Sequence, residues 1–517
     1  MPEGCAGGMK EEADCRDAGT GAAEAGDKMV EHATQTDMPI ERAKAVLLAA
    51  QVASGKWGET SPDARAGCIG AMRREIVAAR DEIVDVVSSE TGKTTGEALH
   101  SDVLATLEIL LYLERNAERL LRPEKAKTPF VFGARESYVE YKPLGVVLVI
   151  APWNNPLQLA LVPAASALVA GNAVLLKPSE RTPRTGKLIS TLCRRAGLPD
   201  DVLQVVDGGP DVAQALIDSR PDIIFFTGGT KNGRSVLEAA SRQLIPVILE
   251  LGGKDPMIVF ADAHLDRAAQ AAVYGAFSHA GQHCVSVKRL YVQESVYGEF
   301  LERVAEETRA LAATSHWGRV MDERAQAVAL EQVQEAVAAG ARLLVPDDLT
   351  RAGAEPTLVR DATNTMRIMR EETFAPVLSA MPFEDEDDAV RLANDSEFGL
   401  NASVWSDDAT RAKRVAHHLE TGNVYVNNVL INIGNPHLPF GGVKSSGLGR
   451  YHGPEGVRAF CNRTAVMVSD RKRKAEPNWF PHDEEKRHAV EEFIRLRYGD
   501  VGFLRRIWGW LRLLRRV

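Results

Sequence analysis

Three residue types in this sequence could together carry out covalent chemistry on a carbonyl group. Asn154 follows the apolar run 146–150, Glu250 ends the apolar run PVIL, and Cys284 lies between a glycine-containing turn and another apolar run. A cysteine thiolate is a strong nucleophile, and a carboxylate against an apolar wall has a raised pKa that suits a general base. An asparagine amide can donate to a developing oxyanion. The sequence therefore offers a nucleophile, a base and an oxyanion donor.

Each of these residues also has a purely structural interpretation. Asn154 lies between prolines, where its side chain could simply close a turn. Glu250 could cap a neighbouring backbone group or pair with a lysine, and Cys284 could be a small core residue or a metal ligand. The choice depends on whether the fold brings the three side chains together.

Two other stretches suggest a nucleotide site. LLKPSE ends a strand in Lys177 and continues to Glu180, a pair that could hold the two hydroxyls of a ribose or form an ordinary ion pair. FFTGGTKNG, residues 225–233, joins a strand to a helix through a glycine-rich turn, as phosphate sites at helix N-termini do. Because the turn lacks the G-x-G-x-x-G spacing, a tight strand-to-helix turn is the alternative.

Short apolar strands alternate with helices through most of the chain, and this pattern predicts an α/β fold. After a helical opening, strands are predicted at 146–150, 173–177 and 202–206 and within DIIFFTG and PVILELGG. Wholly apolar strands of this kind form parallel sheets that are covered on both faces. The pattern resumes after Cys284, so two α/β units are predicted to meet near residue 252. Ligands bind at the carboxyl ends of such strands.

The two ends of the chain differ from this pattern. Residues 1–38 are small, acidic and aperiodic, and we expect a disordered arm. Residues 501–517 have apolar side chains at 503, 504, 507, 508, 511 and 514 and arginines at 505, 506, 512, 515 and 516. This spacing predicts a basic amphipathic helix, which could lie on an anionic membrane surface or dock on the protein's own partner subunit.

The composition limits the classes of function. The chain has 517 residues, which indicates two or more domains, and its formal net charge of -9 argues against nucleic-acid binding. The six cysteines are sparse, and no zinc-type Cys/His spacing is present, so no metal site is expected. No secretory signal and no apolar run long enough to span a membrane are visible. The expected location is the cytoplasm, with peripheral membrane contact as an option for the C-terminal helix.

Taken in order, the motifs resemble those of the aldehyde dehydrogenase superfamily, in its NAD(P)-dependent type that does not acylate coenzyme A. The resemblance covers about residues 40–470. It rests on PWN at 152–154, KPSE at 177–180, the glycine turn at 226–233, ELGGK at 250–254, GQHC at 281–284, EETF at 371–374 and PFGGVKSSGLGR at 439–450.

The resemblance implies the role of each candidate residue. Cys284 would attack an aldehyde, Asn154 would hold the oxyanion, and Glu250 would activate the water that hydrolyses a thioester to the carboxylic acid. Glu250 also favours water over coenzyme A as the acceptor. The cofactor would be NAD, with NADP as the alternative, because Glu180 should repel a 2′-phosphate. The implied cofactor residues are Trp153, Lys177, Ser179, Glu180, Gly228, Gly229, Gly233, Leu251, Glu372 and Phe374.

The resemblance also implies an architecture. A Rossmann-like NAD-binding domain would comprise 39–130 and 143–251, and an α/β catalytic domain would comprise 252–445. A small bridging β-sheet from 131–142 and 455–470, including a strand at 464–469, would serve oligomerisation as a homodimer or homotetramer. Residues 471–517 would form a C-terminal extension that carries the amphipathic helix.

Three positions depart from the family's usual residues: Asn155, His279 and His283. His283 could lower the pKa of the neighbouring thiol, or it could only line the substrate channel. The alternative functions are a semialdehyde dehydrogenase, for example for succinic semialdehyde, and a non-catalytic structural member of the fold. A membrane-tethered binding module is a third alternative, and it would leave the motifs unexplained.

Overall fold

The computed structural model describes residues 39–132, 135–314, 316–431, 434–469, 476, 478–500 and 502–514. The N-terminal arm predicted at 1–38 lies outside the described residues. The chain divides into a large unit, made of the described parts of Met1–Arg122 and Tyr141–Arg463, and a small unit, made of those of Pro123–Glu140 and Thr464–Val517.

Most helices lie where the apolar spacing predicts them. Their bounds in chain order are α1 (Ile40–Glu59), α2 (Pro62–Ala78), α3 (Arg80–Thr91), α4 (Thr95–Ala98), α5 (Ala105–Leu121), α6 (Gln158–Val169), α7 (Pro183–Arg195), α8 (Pro210–Asp218), α9 (Thr230–Ser241), α10 (Leu265–Phe277), α11 (Tyr297–Ala312), α12 (Glu323–Ala338), α13 (Arg367–Arg370), α14 (Glu386–Asn394), α15 (Ala409–His418), α16 (Gly453–Arg458), α17 (Glu484–Tyr498) and α18 (Phe503–Leu514).

The strands are short, as their apolar runs suggest. They are β1 (Glu124–Ala126), β2 (Glu136–Pro143), β3 (Val146–Ile150), β4 (Ala173–Lys177), β5 (Leu203–Val205), β6 (Ile223–Thr227), β7 (Val247–Glu250), β8 (Asp255–Val259), β9 (Val287–Gln293), β10 (Arg342–Val345), β11 (Thr357–Arg360), β12 (Val377–Phe383), β13 (Phe398–Gly399), β14 (Asn401–Trp405), β15 (Asn423–Val426), β16 (Val443–Lys444), β17 (Gly447–Leu448) and β18 (Cys461–Val468).

One sheet of the large unit is doubly wound. Within the described chain its six strands run in the order β17-β7-β6-β3-β4-β5, and all neighbouring pairs are parallel except β17 with β7. Every residue of β3, β4 and β6 is buried, because these strands are apolar except for Lys177 and Thr227 at the ends of β4 and β6, and helices cover both faces. The chain order reverses between β3 and β6, which makes this edge the topological switch point. The predicted α/β class with a Rossmann-like sheet is confirmed.

A second sheet of the large unit has the order β10-β11-β12-β9-β8-β14-β15 across its described strands. Its pairs are parallel except β10 with β11. Two apolar clusters cover this sheet, one containing Phe300 and Trp405 and the other Tyr291 and Phe383. The prediction of a second α/β unit after residue 252 is confirmed.

The small unit contains most of a three-stranded sheet in the order β1-β2-β18, followed by the helices α17 and α18. The strand predicted at 464–469 begins earlier and ends earlier, at Cys461–Val468. The helix predicted at 501–517 is present as Phe503–Leu514, and residues 501 and 515–517 lie outside the described residues.

Asn172 ties the start of β3 to two other segments of the large unit. Its Oδ1 accepts from the backbone N–H groups of Leu144 and Gly145 at 2.7 and 2.9 Å. Its Nδ2 donates to the carbonyls of Ala167 and Phe460 at 3.0 and 2.9 Å. The side chain is completely buried, and its four bonds satisfy backbone groups that the turn before β3 would otherwise leave unpaired.

We therefore expect Asn172→Ala to lower the free energy of unfolding by about 3 kcal/mol, since the N–H groups of Leu144 and Gly145 and the carbonyl of Phe460 lose their side-chain partner. The matched control is Asn116→Ala, because the Asn116 side chain bonds within its own helix, to Tyr112 and Arg119. Chemical denaturation followed by tryptophan fluorescence measures both. Equal stability of the two variants would contradict the role given to Asn172.

Candidate active site

A cleft of about 570 Å³ lies at the switch point of the six-stranded sheet. All three predicted catalytic residues line it, and so do nine of the predicted cofactor residues. These lining residues are Asn154, Glu250, Cys284, Trp153, Lys177, Ser179, Glu180, Gly228, Gly229, Leu251, Glu372 and Phe374.

Gly233 is the exception, because it does not line the cleft. It lies within α9, where a Cβ atom would come within 2.4 Å of Leu251 Cδ2. Gly233 therefore lets α9 approach Leu251 closely, and Leu251 itself faces the cleft. The predicted ligand-contact role of Gly233 stays a prediction, and the packing against Leu251 is what the structure shows for this glycine.

The cleft is built from opposite ends of the two sheets. Asn154, Lys177, Gly228 and Glu250 lie at or just after the carboxyl ends of β3, β4, β6 and β7. Cys284 and the segment 372–374 instead precede β9 and β12. Because β9 and β12 are parallel neighbours, their amino ends lie side by side. The rule that ligands bind at the carboxyl ends of parallel strands accounts for the residues of the six-stranded sheet. It does not account for Cys284 and the segment 372–374, which lie at amino ends.

The loop before Cys284 has an unusual backbone. His279, Ala280 and Gly281 have φ values of 51°, 52° and 68°, the left-handed region that costs free energy for the two residues with a Cβ. The His279 N–H donates to Glu97 Oε1 at 2.6 Å, and Lys288 Nζ donates to the Gly281 carbonyl at 3.0 Å. These contacts hold a conformation that the local sequence would not choose.

Gln282 fixes the same loop from its other side. Its Nε2 donates to the carbonyls of His279 and Arg319, both at 3.0 Å, and its Oε1 accepts from the Met321 N–H at 2.9 Å. The Gln282 backbone carbonyl accepts from Asn154 Nδ2 at 2.9 Å. One amide hydrogen of Asn154 therefore holds the loop, and the second is left for a ligand oxygen in the cleft.

Cys284 is partly exposed and lines the cleft. Burial raises the pKa of this thiol above the ordinary value, and the nearby carboxyl groups of Glu250, Asp255 and Glu372 raise it further. Near neutral pH this environment favours the protonated thiol over the thiolate.

Glu250 is buried at the end of β7. Its Oε1 has no hydrogen-bond partner among the described residues, and burial raises its pKa well above the usual range, opposed by the charge of Arg450. The expectation of a raised pKa is confirmed. A Cβ at Gly441, whose φ is +155°, would lie 2.8 Å from Glu250 Oε1. The glycine-rich stretch 439–450 thus packs against the carboxylate.

Lys177 and Glu180 form an ion pair of 3.1 Å at the wall of the cleft. Burial would raise the pKa of Glu180, but its backbone hydrogen bond and the charges of Lys177 and Arg181 bring it below the usual value. In this structure Lys177 and Glu180 are therefore paired with each other, as the ion-pair interpretation expects, and both residues line the cleft. Glu180 remains charged, as repulsion of a phosphate requires.

The turn after β6 has the layout of an anion site. Helix α9 begins at Thr230 after Gly229, and no side chain caps its first N–H groups. Gly228 and Gly229 line the cleft, and the buried Thr227 Oγ1 has no described partner. Open N–H groups at a helix N-terminus attract phosphate oxygens. An apolar wall that suits an aromatic ring lies beside them, formed by Pro210, Ala213, Ile217 and Val236.

Sequence reasoning missed Arg181 and Asp322. Arg181 lies over the Trp153 ring at 5.7 Å and pairs with Asp322 at 2.9 Å, and all three line the cleft. Arg181 directly follows the KPSE motif, so its position offered a signal. Asp322 precedes α12 in no recognisable motif, and only the fold brings it to the cleft.

Glu372 and Phe374 lie on the Cys284 side. Glu372 Oε1 accepts from the Gly253 N–H at 3.3 Å, and burial raises its pKa against the opposing charges of Lys254 and Lys288. Phe374 meets Trp153 edge to face at 6.0 Å. The two predicted residues are therefore in the same cleft as Cys284, next to the start of β12.

The hypothesis that His283 lowers the thiol pKa is contradicted. Burial and the charges of Lys93 and Lys288 lower the pKa of His283 to about 3, so the ring is uncharged near neutral pH. An uncharged imidazole offers no Coulombic help to a thiolate. His283 instead bonds to Asn155, with 3.2 Å between Asn155 Nδ2 and His283 Nδ1.

A doubly wound sheet with a ligand cleft at its switch point and an open helix N-terminus defines a nucleotide-binding α/β enzyme. The sequence model described as the Aldehyde dehydrogenase family matches residues 25–466. A 4,4'-diapolycopene aldehyde oxidase of a Methylomonas species is 42% identical, over 87% of this chain and 86% of that one.

Two further similar proteins indicate the same family. A putative succinate-semialdehyde dehydrogenase [NADP(+)] of Mycolicibacterium smegmatis is 36% identical, over 84% of this chain and 86% of that one. The crystal structure of an NAD-dependent aldehyde dehydrogenase from Sinorhizobium meliloti superposes with a TM-score of 0.79 at 35% identity, covering 86% of this chain and 89% of that one. The chain therefore belongs to the aldehyde dehydrogenase family. It is an NAD(P)-dependent enzyme that oxidises an aldehyde to a carboxylic acid.

The raised pKa of Cys284 predicts how fast the free enzyme is alkylated. Because only the thiolate reacts, the iodoacetamide rate at Cys284 should rise about tenfold per unit between about pH 7 and pH 9 without levelling off. Mass spectrometry of the peptide containing Cys284 measures it. Cys193 and Cys461, both buried with pKa values raised to about 12, serve as slow internal references. A plateau near neutral pH would show that the thiol is already ionised.

Proposed function

We propose that Cys284 is the nucleophile, Asn154 an oxyanion donor and Glu250 the base of this aldehyde dehydrogenase. One observation carries the proposal: these three side chains, which come from three separate segments, line a single cleft together with nine cofactor candidates. A non-catalytic member of the fold would have no need to keep a buried, unpaired carboxylate, which costs stability.

The proposed reaction begins when the thiol loses its proton to solvent and Sγ bonds to the aldehyde carbon, moving the carbonyl electrons onto oxygen. The second amide hydrogen of Asn154 stabilises this oxyanion, and one such donor is typically worth about 10²–10³ in rate. The carbonyl re-forms as the C–H bond breaks and hydride leaves to the bound cofactor, which leaves a thioester on Cys284. Glu250, once it has lost its own proton to solvent, takes a proton from water as the water oxygen attacks the thioester, and the C–S bond breaks to release the acid and the Cys284 thiolate.

The residues present fit a nicotinamide dinucleotide. The open N-terminus of α9 suits the diphosphate, the paired Lys177 and Glu180 suit a ribose diol, and Glu372 suits the second ribose. When bound, the nicotinamide accepts the hydride that leaves the substrate carbon. The charged Glu180 favours NAD over NADP, since a 2′-phosphate would meet a like charge.

We further propose which segments of the chain bind the cofactor, carry the nucleophile and join subunits. Residues 39–130 and 143–251 bind NAD, and residues 252–445 carry the nucleophile. The sheet from 131–142 and 455–470 bridges subunits in a homodimer or homotetramer. Support comes from the positions of the cleft residues on the two large sheets and from the separate three-stranded sheet.

Replacing Glu250 by Gln tests the roles directly. The variant should still release one equivalent of NADH per active site in a burst, while steady-state turnover falls by about 10²–10⁴, the range for loss of a general base. Stopped-flow absorbance measures both phases. Cys284→Ala is the matched control and should lose burst and turnover alike. Loss of the burst in Glu250→Gln would contradict a role confined to hydrolysis of the thioester.

We propose an apolar aldehyde as the substrate. The relative that is 42% identical is named for a 4,4'-diapolycopene aldehyde. The cations that line the described cleft are Lys177 and Arg181, and carboxylates already pair with both. A semialdehyde would need a free cation for its second carboxylate, so the succinate-semialdehyde relative supports only the second candidate.

The C-terminal helices offer a surface that fits an apolar substrate. Leu496 of α17 packs on Gly509 of α18, and Phe493 meets Trp510 at 5.3 Å, so these residues form the seam between the two helices. Seven further large apolar side chains that the structure describes in this pair are exposed by 43% to 77%, namely Val490, Ile494, Tyr498, Phe503, Leu504, Ile507 and Trp508. Among the described residues, no helix is both long and apolar enough to cross a membrane.

We propose that this surface makes peripheral contact with an anionic membrane. Residues 501–517 contain five arginines and no acidic residue, which complements lipid phosphates. A chain without 500–517 should lose co-sedimentation with phosphatidylglycerol vesicles and keep its turnover of a short soluble aldehyde. Phe480→Ser, which removes an 87% exposed side chain outside α17 and α18, is the matched control.

Unchanged vesicle binding of the truncated chain would contradict the membrane proposal. A smaller oligomer on truncation, seen by analytical ultracentrifugation, would instead assign the surface to a second copy of the chain. Rates against linear aldehydes of increasing length decide the substrate class. Activity confined to succinic semialdehyde would favour the second candidate.

A further inference from the structure

Two of the three departures from the family's usual residues, Asn155 and His283, belong to one buried hydrogen-bonded chain. It starts at Asp102 and Ser101 on a π-helical turn, Leu99–Leu104, and passes through Lys93 and Asn155 to His283. The Lys93 and Asp102 side chains are completely buried. The polar chain, as we call these residues, ends at the residue next to Cys284.

Lys93 sets the direction of the hydrogen bonds. Its Nζ donates to Asp102 Oδ2 at 2.5 Å, to Ser101 Oγ at 2.9 Å and to Asn155 Oδ1. Asp102 Oδ1 accepts from the Leu157 N–H at 3.1 Å, and the Ser101 hydroxyl donates to the Glu97 carbonyl at 2.8 Å. Burial lowers the pKa of Lys93, and the charge of Asp102 opposes this. An ammonium has three hydrogens and no acceptor, so all three are used.

Because Lys93 is a donor, it determines the orientation of the Asn155 amide and, through that amide, the tautomer of His283. Since Lys93 can only donate, the oxygen of the Asn155 amide must face it, and the NH₂ group must face His283. Asn155 Nδ2 therefore donates to His283 Nδ1, at 3.2 Å. An Nδ1 that accepts carries no proton, so the single proton of the neutral ring is on Nε2. This Nε2–H has no partner among the described residues, and the side chain is only partly buried.

We propose that Lys93 and Asn155 are positioning residues that lock His283 as a neutral Nε2–H tautomer, a hydrogen-bond donor for an oxygen of the bound aldehyde. The proposal deepens the proposed function, because it adds a substrate contact beside Cys284. The charges that face His283 are those of Lys93 and Lys288, and the neighbouring His279 ring lies 5.3 Å away. Both lysine charges oppose the positively charged form of the His283 ring.

Nitrogen NMR of the full-length protein tests the tautomer without turnover. In a deuterated sample with ¹⁵N-labelled histidine, His283, assigned by its loss in His283→Gln, should show the Nε2–H pattern alone from about pH 6 to pH 9. Asn155→Asp should reverse the tautomer, because a carboxylate only accepts, and Nδ1 must then carry a proton. His279, whose ring nitrogens have no described partner, is the internal control and should not change.

A mixture of tautomers or an Nδ1–H pattern in the unaltered protein would overturn the lock, even if Asn155→Asp failed to fold. An unchanged His283 signal in a folded Asn155→Asp would overturn the part played by Asn155. These readouts are independent of the roles proposed for Cys284 and Glu250, so failure here is distinguishable from failure of the mechanism.

Kinetics test the substrate contact. His283→Gln keeps an N–H donor, whereas His283→Leu has a similar volume and none. We expect at least about a tenfold larger loss of kcat/KM in His283→Leu than in His283→Gln, the size of one hydrogen bond to a substrate. Equal losses in the two variants would show that the donor meets no substrate oxygen.

Discussion

The left-handed backbone at His279, Ala280 and Gly281 is the constraint on which the active site depends. It turns the chain so that Cys284 enters the cleft, and it is unfavourable by about 1–3 kcal/mol for each residue that carries a Cβ. The His279 N–H donates to Glu97, Lys288 donates to the Gly281 carbonyl, and these two hydrogen bonds hold the loop. Because Asn154 also donates to this loop, the proposed oxyanion donor Asn154 and the proposed nucleophile Cys284 have a common support. A site built in this way keeps its geometry only while distant segments remain packed.

Burial gives the two central groups, the Cys284 thiol and the Glu250 carboxyl, the same resting tendency. It raises the pKa of both Cys284 and Glu250, so each is favoured in its uncharged form before a ligand arrives. Two adjacent anions in a low dielectric would repel strongly, and keeping both groups neutral avoids that cost. The charges of Arg450 near Glu250 and of Lys254 and Lys288 near Glu372 balance the carboxylates as they ionise. Reactivity is thereby coupled to ligand binding.

The polar chain shows how a departure from common residues can be accommodated. A buried Asn155 needs partners for both ends of its amide, and Lys93 and His283 supply one each. In the small unit, α17 and α18 pack on each other through Leu496, Phe493 and Trp510. Other apolar residues of these two helices are exposed. Large exposed apolar patches mark contact surfaces.

The sequence alone determined the α/β class, most strands and twelve of the residues that line the cleft. Apolar runs such as 146–150 and 223–227 encode buried parallel strands locally, and polar residues at their ends are visible as breaks in the run. Only the tertiary structure decided that Gly233 packs on Leu251, that Asp322 reaches the cleft and that His283 is uncharged. These properties depend on burial and on partners far away in the chain, such as Lys93 for Asn155, and a pattern read within a few residues does not contain them.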